Sequence, residues 1–230
     1  MIIDGSQNMV VITYYSDVEP LKDHILYGKA YRKVSPARRE KTDLFVFDRD
    51  RRLSLGVELL LINALNDLGE DPGAIEVVSD SKGKPILRGS DTCFNLSHSG
   101  ERVMCSVSDQ DVGCDVEIIS PIDLNIARNY FHGVEYDSIS RCEGEERFRM
   151  FFRFWTLKES FMKATGLGLS LGLDEYCISI GEDIAVDQNV DCRDYRFKEY
   201  AVDDDYCYSV CSVDGRFEFQ MRKVELDSLF

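Results

Sequence analysis

The stretch over residues 145–165 constrains this chain more than any other. Its length and the apolar stripe of Phe154, Leu157, Phe161 and Met162 predict one long helix, with Trp155 in core packing. The sequence around it offers short strands for that helix to pack on. Strand-like runs fall at 9–15, 75–78, 93–96, 102–108 and 112–119, then at 176–180, 195–200, 206–212 and 216–224. A helix opens at Ser35-Pro36 and is expected to run to Phe47, since Ser caps well and Pro suits the first turn. Leu53, Val57, Leu60, Leu61, Ala64 and Leu65 recur at helical spacing up to Gly69, and shorter helices are expected at 122–131 and 135–140. Each half thus holds helices and a set of antiparallel strands, an α+β pattern, with no repeat of residue identity between the halves.

Charge then removes whole classes of function. With 42 acidic and 27 basic side chains the 230-residue chain carries a formal charge of −15. That excludes nucleic-acid binding by bulk charge, and it disfavours anionic lipid surfaces equally. No run of 18 apolar residues is present to span a membrane, and residues 1–10 lack the pattern of a secretory signal. The eight cysteines include no C-x-x-C pair and read as free or buried thiols, so a cytoplasmic location is expected. The distribution is uneven: residues 29–52 hold nine basic side chains against four acidic, while Gly181 onward holds six against 13. A basic segment inside an acidic protein is either an anion site or a solvated helix face.

Three short constellations could carry chemistry. In Val112-Gly113-Cys114-Asp115-Val116-Glu117, Asp115 and Glu117 are two apart on a strand, so they share one face about 6.5 Å apart. Two such carboxylates repel unless solvated or bridged by a hard cation such as Mg²⁺ or Mn²⁺. Glu159 and Lys163, at i and i+4, share a helix face; read alone, they are a favoured surface ion pair. Phe94-Asn95-Leu96-Ser97-His98-Ser99-Gly100 ends a strand with hydroxyls, an imidazole and turn amides that can hold phosphate oxygens. Gly83-Lys84-Pro85 is a tight turn displaying a lysine. No G-x-S-x-G elbow is present, and His24, His98 and His132 lack zinc-ligand spacing.

Taken together, Gly83-Lys84-Pro85, residues 94–100, residues 112–117 and the Trp155-x-x-Lys158-Glu159-x-x-x-Lys163 helix occur in one order with family-like spacing. In that joint pattern the chain resembles the Sfp-type 4′-phosphopantetheinyl transferases from Ser35 to about Tyr176, with Ser35-Pro36-x-x-Arg39-Glu40-Lys41 matching the family's basic N-terminal element. The resemblance implies a pseudo-dimeric fold of two similar halves, each with an antiparallel sheet and packed helices. Residues 1–119 would form the first half and 120–230 the second, with the active site between them and a monomer as the working unit.

The resemblance also implies a reaction: transfer of the phosphopantetheine arm of coenzyme A onto a carrier-protein serine, releasing adenosine 3′,5′-bisphosphate. Asp115, Glu117 and Glu159 would bind Mg²⁺ or Mn²⁺, Glu159 would also be the base, and Lys163 would face the pyrophosphate. Lys158 matches a second lysine of that helix, and Glu135 a further acidic position near the site. Arg38 and Lys41, with Ser54 nearby, would hold the 3′-phosphate, while Lys84, Pro85, Ser97 and His98 would frame the nucleotide. Arg38 stands where the family often has Lys, Cys114 where an aliphatic residue is usual, and the residues upstream of Asn8 form a short extension. Carrier proteins are acidic, so docking to an acidic enzyme is expected to rest on an apolar patch with local cations. A non-catalytic binder of coenzyme A or carrier protein, and a Mg²⁺-dependent pyrophosphohydrolase, are the competing readings.

Overall fold

The computed structural model describes residues 9–213 and 215–230; the extension upstream of Asn8 lies outside the described residues. The fold is α+β, as expected, and consists of two sheets, each backed by one long helix. The first sheet runs β11 (Arg222–Lys223), β1 (Ile12–Asp17), β5 (Arg102–Ser108), β4 (Cys93–Ser99), antiparallel except for the parallel β11–β1 edge. Helix α3 (Asp48–Asp67) lies on it, and Leu55, Leu59 and Leu60 close a core with Tyr14, Val103 and Val107. The second sheet runs β6 (Val112–Ile118), β10 (Tyr206–Ser212), β9 (Arg196–Glu199), all antiparallel. Helix α6 (Gly144–Thr165) covers it, burying Phe151, Phe154, Leu157 and Phe161 beside Tyr176 and Tyr195. A third apolar cluster, including Met104, Cys114, Val116 and Tyr208, packs residues of the two sheets together. All eight cysteines are free thiols.

Several elements differ from the sequence expectation. The helix expected over 35–47 is two pieces: α2 (Pro36–Asp43) stops, and α3 begins afresh at Asp48. Asp48 and Asp50 favour that new start because negative charge suits a helix N-terminus. A helix at His24–Lys33 (α1), capped by Asp23, was not foreseen; its apolar spacing is weak and its burial is confined mainly to Ala30. Helices α4 (Asn125–Tyr130) and α5 (Gly133–Ser140) fall where expected. The run over 216–224 forms only a bridge from Phe217 to Val11 and the two residues of β11. Two hairpins, β2 (Glu76–Ser79) with β3 (Pro85–Arg88) and β7 (Cys177–Ile180) with β8 (Ile184–Asp187), flank the sheets.

The change of sheet falls just before β6, because β6 pairs with β10 instead of continuing the first sheet. Strands β4 and β6 nevertheless run side by side in the same direction, joined through side chains. Asn95 Oδ1 accepts the Cys114 amide at 2.9 Å, Ser97 Oγ the Val116 amide at 3.4 Å and Ser99 Oγ the Ile118 amide at 3.2 Å. Alternate polar residues of one strand thus satisfy alternate edge amides of the other, as buried backbone donors require.

Candidate active site

Strand alternation sends Cys114 and Val116 into the apolar cluster, both fully buried, and turns Gly113, Asp115 and Glu117 to the opposite face. Helix α6 crosses that face at Gly113. A Cβ there would stand 2.0 Å from the Ser160 carbonyl oxygen and 2.4 Å from the Ala164 amide nitrogen, so glycine alone permits this approach. Thr156 and Ser209 share a hydrogen bond at 2.8 Å, fixing the next turn of the helix to β10. Held this close, the helix delivers Glu159 and Lys163 to the Asp115 carboxylate.

Lys163 Nζ donates to Asp115 Oδ1 at 2.6 Å, to the Cys114 carbonyl at 3.1 Å and to Ser97 Oγ at 3.3 Å. Ser97 Oγ itself donates to Asp115 Oδ1 at 2.7 Å, and Ser99 Oγ to Glu117 Oε2 at 2.5 Å. The hydroxyls of β4 therefore join the sheets and orient the carboxylates at once. Asp115 is 3% exposed, and its Oδ2 has no hydrogen-bond partner among the described residues. Burial, then the charge of Asp115, pushes the Glu117 carboxyl up to about 7. The same two causes raise Glu159. Burial works against the Lys163 charge, but Asp115 and the other negative neighbours outweigh it and hold the ammonium above its usual range. His98, beside these groups, is held below its ordinary value first by loss of hydration around the imidazole and then by the cations of Lys163 and Lys41.

Asp115, Glu117, Glu159, Lys163, Ser97 and His98 are therefore brought together. Several of the remaining expected residues make bonds within the protein. Lys158, one residue from Glu159, falls about 100° round the helix and points away from the carboxylates. It is completely buried, donating to Glu135 Oε1 at 2.7 Å and to the Tyr176 carbonyl at 3.0 Å. Glu135 is saturated in turn, accepting the Ile178 amide at 2.6 Å and the His132 amide at 3.0 Å. The pair locks α5, α6 and β7 together. Ser54 is also buried and shares a 2.8 Å hydrogen bond with Thr42, which fastens α2 to α3.

Arg38 is committed to Glu58, Nε to Oε2 at 2.8 Å, while Glu58 Oε1 takes the Ser35 amide at 2.6 Å. Lys41 is exposed on α2 with no ion-pair partner among the described residues, and its charge reaches His98. Lys84 folds inward to the Ala164 carbonyl at 3.1 Å, where a cation suits the C-terminal end of α6. Pro85 is exposed on the rim of a small cavity of about 130 Å³ that Lys84, Ser90, Phe94 and Asp111 also line.

Among the described residues no group of three or more carboxylate, imidazole or thiol side chains is placed to hold a metal ion, so Asp115, Glu117 and Glu159 are not assembled as a three-residue ligand set. The donor set nonetheless fits a hard dication: all oxygen, mutually repelling, with the buried Oδ2 of Asp115 unpartnered. Few protein ligands leave room for water and phosphate, which is the arrangement Mg²⁺ prefers.

This seam brings acid, hydroxyl and ammonium groups together between two sheets, groups that serve more than one class of chemistry. Comparison with known proteins identifies which. Residues 19–110 match the family model described as 4′-phosphopantetheinyl transferase, N-terminal, and residues 111–211 match the 4′-phosphopantetheinyl transferase superfamily. The boundary between the two matches coincides with the change of sheet just before β6. The chain is 32% identical over 203 residues to the 4′-phosphopantetheinyl transferase Sfp of Bacillus subtilis (strain 168), covering 85% of this chain and 89% of that protein. It is 34% identical over 186 residues to the 4′-phosphopantetheinyl transferase psf-1 of Bacillus pumilus, covering 78% of each. A relative from Rattus norvegicus, L-aminoadipate-semialdehyde dehydrogenase-phosphopantetheinyl transferase, is 33% identical over 157 residues, 61% of this chain and 50% of its own. The chain belongs to the 4′-phosphopantetheinyl transferase superfamily, and within it to the Sfp type.

Sequence reasoning missed Gly113 as the contact that seats α6, and Ser99 and Asn95 as parts of the seam. The signal was present as the period-two polar alternation of Asn95, Ser97 and Ser99.

Proposed function

We propose that this enzyme transfers the 4′-phosphopantetheine arm of coenzyme A to a serine hydroxyl of an apo carrier protein and releases adenosine 3′,5′-bisphosphate. The observation that carries the reading is the convergence of Asp115, Glu117 and Glu159 with Lys163 on one seam. Asp115 and Glu117 would hold Mg²⁺ or Mn²⁺, with Glu159 at its margin. When bound, the cation neutralises charge on the pyrophosphate oxygens. Glu159 takes the serine proton directly or through water, its raised basicity bringing it nearer to operating pH. The serine oxygen forms a bond to the pantetheine-side phosphorus as the pyrophosphate P–O bond breaks, and Lys163 stabilises the departing bisphosphate. Lys41, whose charge reaches His98, would supply a cation for the 3′-phosphate.

Purified enzyme incubated with coenzyme A, Mg²⁺ and a panel of apo carriers should add the mass of one phosphopantetheine arm to a carrier. Release of nucleotide without carrier modification would instead establish the pyrophosphohydrolase reading, and neither product the binding module. Asp115→Asn should lower kcat by roughly 100-fold or more while near-native circular dichroism is kept. Near-normal turnover would remove Asp115 from the metal site.

A further inference from the structure

The segment between α2 and α3, Leu44-Phe45-Val46-Phe47, offers an apolar surface to solvent that the catalytic seam does not use. Leu44 is 83%, Val46 81% and Phe47 71% exposed, in a protein that buries most of its other large apolar side chains. The tip is braced. Leu44 and Phe45 amides bond back to the Lys41 and Thr42 carbonyls, Arg51 Nε holds the Phe45 carbonyl at 2.9 Å, and the Tyr31 hydroxyl holds Asp43 at 2.8 Å. A contiguous, ordered apolar tip exposed to water marks an interaction site.

Its surroundings state the chemistry of the partner. The tip sits in the middle of the segment 29–52, with nine basic side chains against four acidic in a chain of net −15. Lys41 and Asp50, on either side of it, are near enough to influence the His98 imidazole at the edge of the seam. We infer that the 44–47 tip, with Arg49 and Arg51 beside it on the first turn of α3, is the docking surface for an acidic carrier domain with an apolar centre. This deepens the transferase reading and rests on it: a carrier held there is beside the groups that would receive its serine. Apolar contact supplies the affinity and the local cations align an acidic partner that the enzyme as a whole repels.

The test is steady-state transfer with KM measured separately for coenzyme A and for an apo carrier, on the wild type and on a Leu44→Ser, Val46→Ser, Phe47→Ser triple variant. Carrier KM should rise about tenfold or more, with coenzyme A KM and kcat within about twofold of wild type. The melting temperature should not fall, because these side chains reach into water and Ser at position 47 can cap α3 where Phe does not. Arg49→Glu should raise carrier KM by about threefold or more and flatten its modest salt dependence. Unchanged carrier KM in the triple variant overturns the assignment. So does a tip that proves to serve a second copy or a lipid surface. In that case sedimentation, or co-sedimentation with anionic phospholipid vesicles, would distinguish wild type from variant while carrier KM stayed the same. An enzyme that loads carriers with unchanged KM loses only this surface; one that loads no carrier loses the transferase reading as well.

Discussion

At the scale of single residues, Glu117 shows how the site's electrostatics were set. Its ordinary carboxyl is pushed up to about 7, first by burial and then by Asp115, while the Ser99 hydroxyl pulls the other way. In the metal-free protein, the unfolded chain loses that proton near the ordinary glutamate value and the folded one keeps it to about 7. Stability from this group is therefore present at low pH and is lost as pH rises between those values. Mg²⁺ held by Glu117 would need the ionised form, so its addition should raise the melting temperature more at pH 8 than at pH 5.5; equal shifts would place the ion elsewhere. Ser99→Ala removes the hydrogen bond that favours ionised Glu117, so the acid limb of the Mg²⁺-dependent rate should move to higher pH. Ser99→Thr should restore it. Asp115, Glu117, Glu159 and Lys163 were all legible in the sequence as candidates, since strand period two and helix period four place each pair on one face. Which serine oriented which carboxylate was not legible, because that depends on two strands from different sheets meeting.

At the scale of elements, the decisive contact is α6 on β6. Gly113→Ala would drive a methyl group into helix backbone, which cannot rotate away as a side chain can. A loss of about 3 kcal/mol in denaturant unfolding is expected, together with reduced Mg²⁺ affinity as Glu159 and Lys163 are displaced. The other face of the same helix carries the buried Lys158–Glu135 pair. Lys158→Met leaves a carboxylate without its cation and should cost about 3–5 kcal/mol. Adding Glu135→Gln should recover much of that, and coenzyme A KM in the double variant should match wild type. A raised KM there would return Lys158 to the binding site. Sequence periodicity found α6 and its stripe correctly. It could not tell that neighbouring residues Lys158 and Glu159, both charged, serve a sealed core bond and an open site respectively. That difference arises from the 100° turn between them and from what each side packs against.

At the scale of the molecule, two sheet-and-helix units share a seam rather than a continuous sheet, and the functional groups collect where the seam is polar. No helix among the described residues is long and apolar enough to cross a membrane. The excess of acid over base is carried by the chain outside residues 29–52, so the field around the protein is repulsive to an acidic partner except near that segment. By itself the sequence determined the α+β class, the acidic pair on β6, the Glu159 and Lys163 face and the family. Those features follow from local periodicity and from ordered motifs, which are written in one dimension. Only the tertiary structure decided that β6 belongs to the second sheet and that Arg38, Ser54 and Lys158 make internal bonds to Glu58, Thr42 and Glu135. It also decided that 44–47 breaks the helix into an exposed apolar tip. Each of those outcomes depends on which distant donor, acceptor or apolar surface arrives beside a residue, and chain order alone does not specify that.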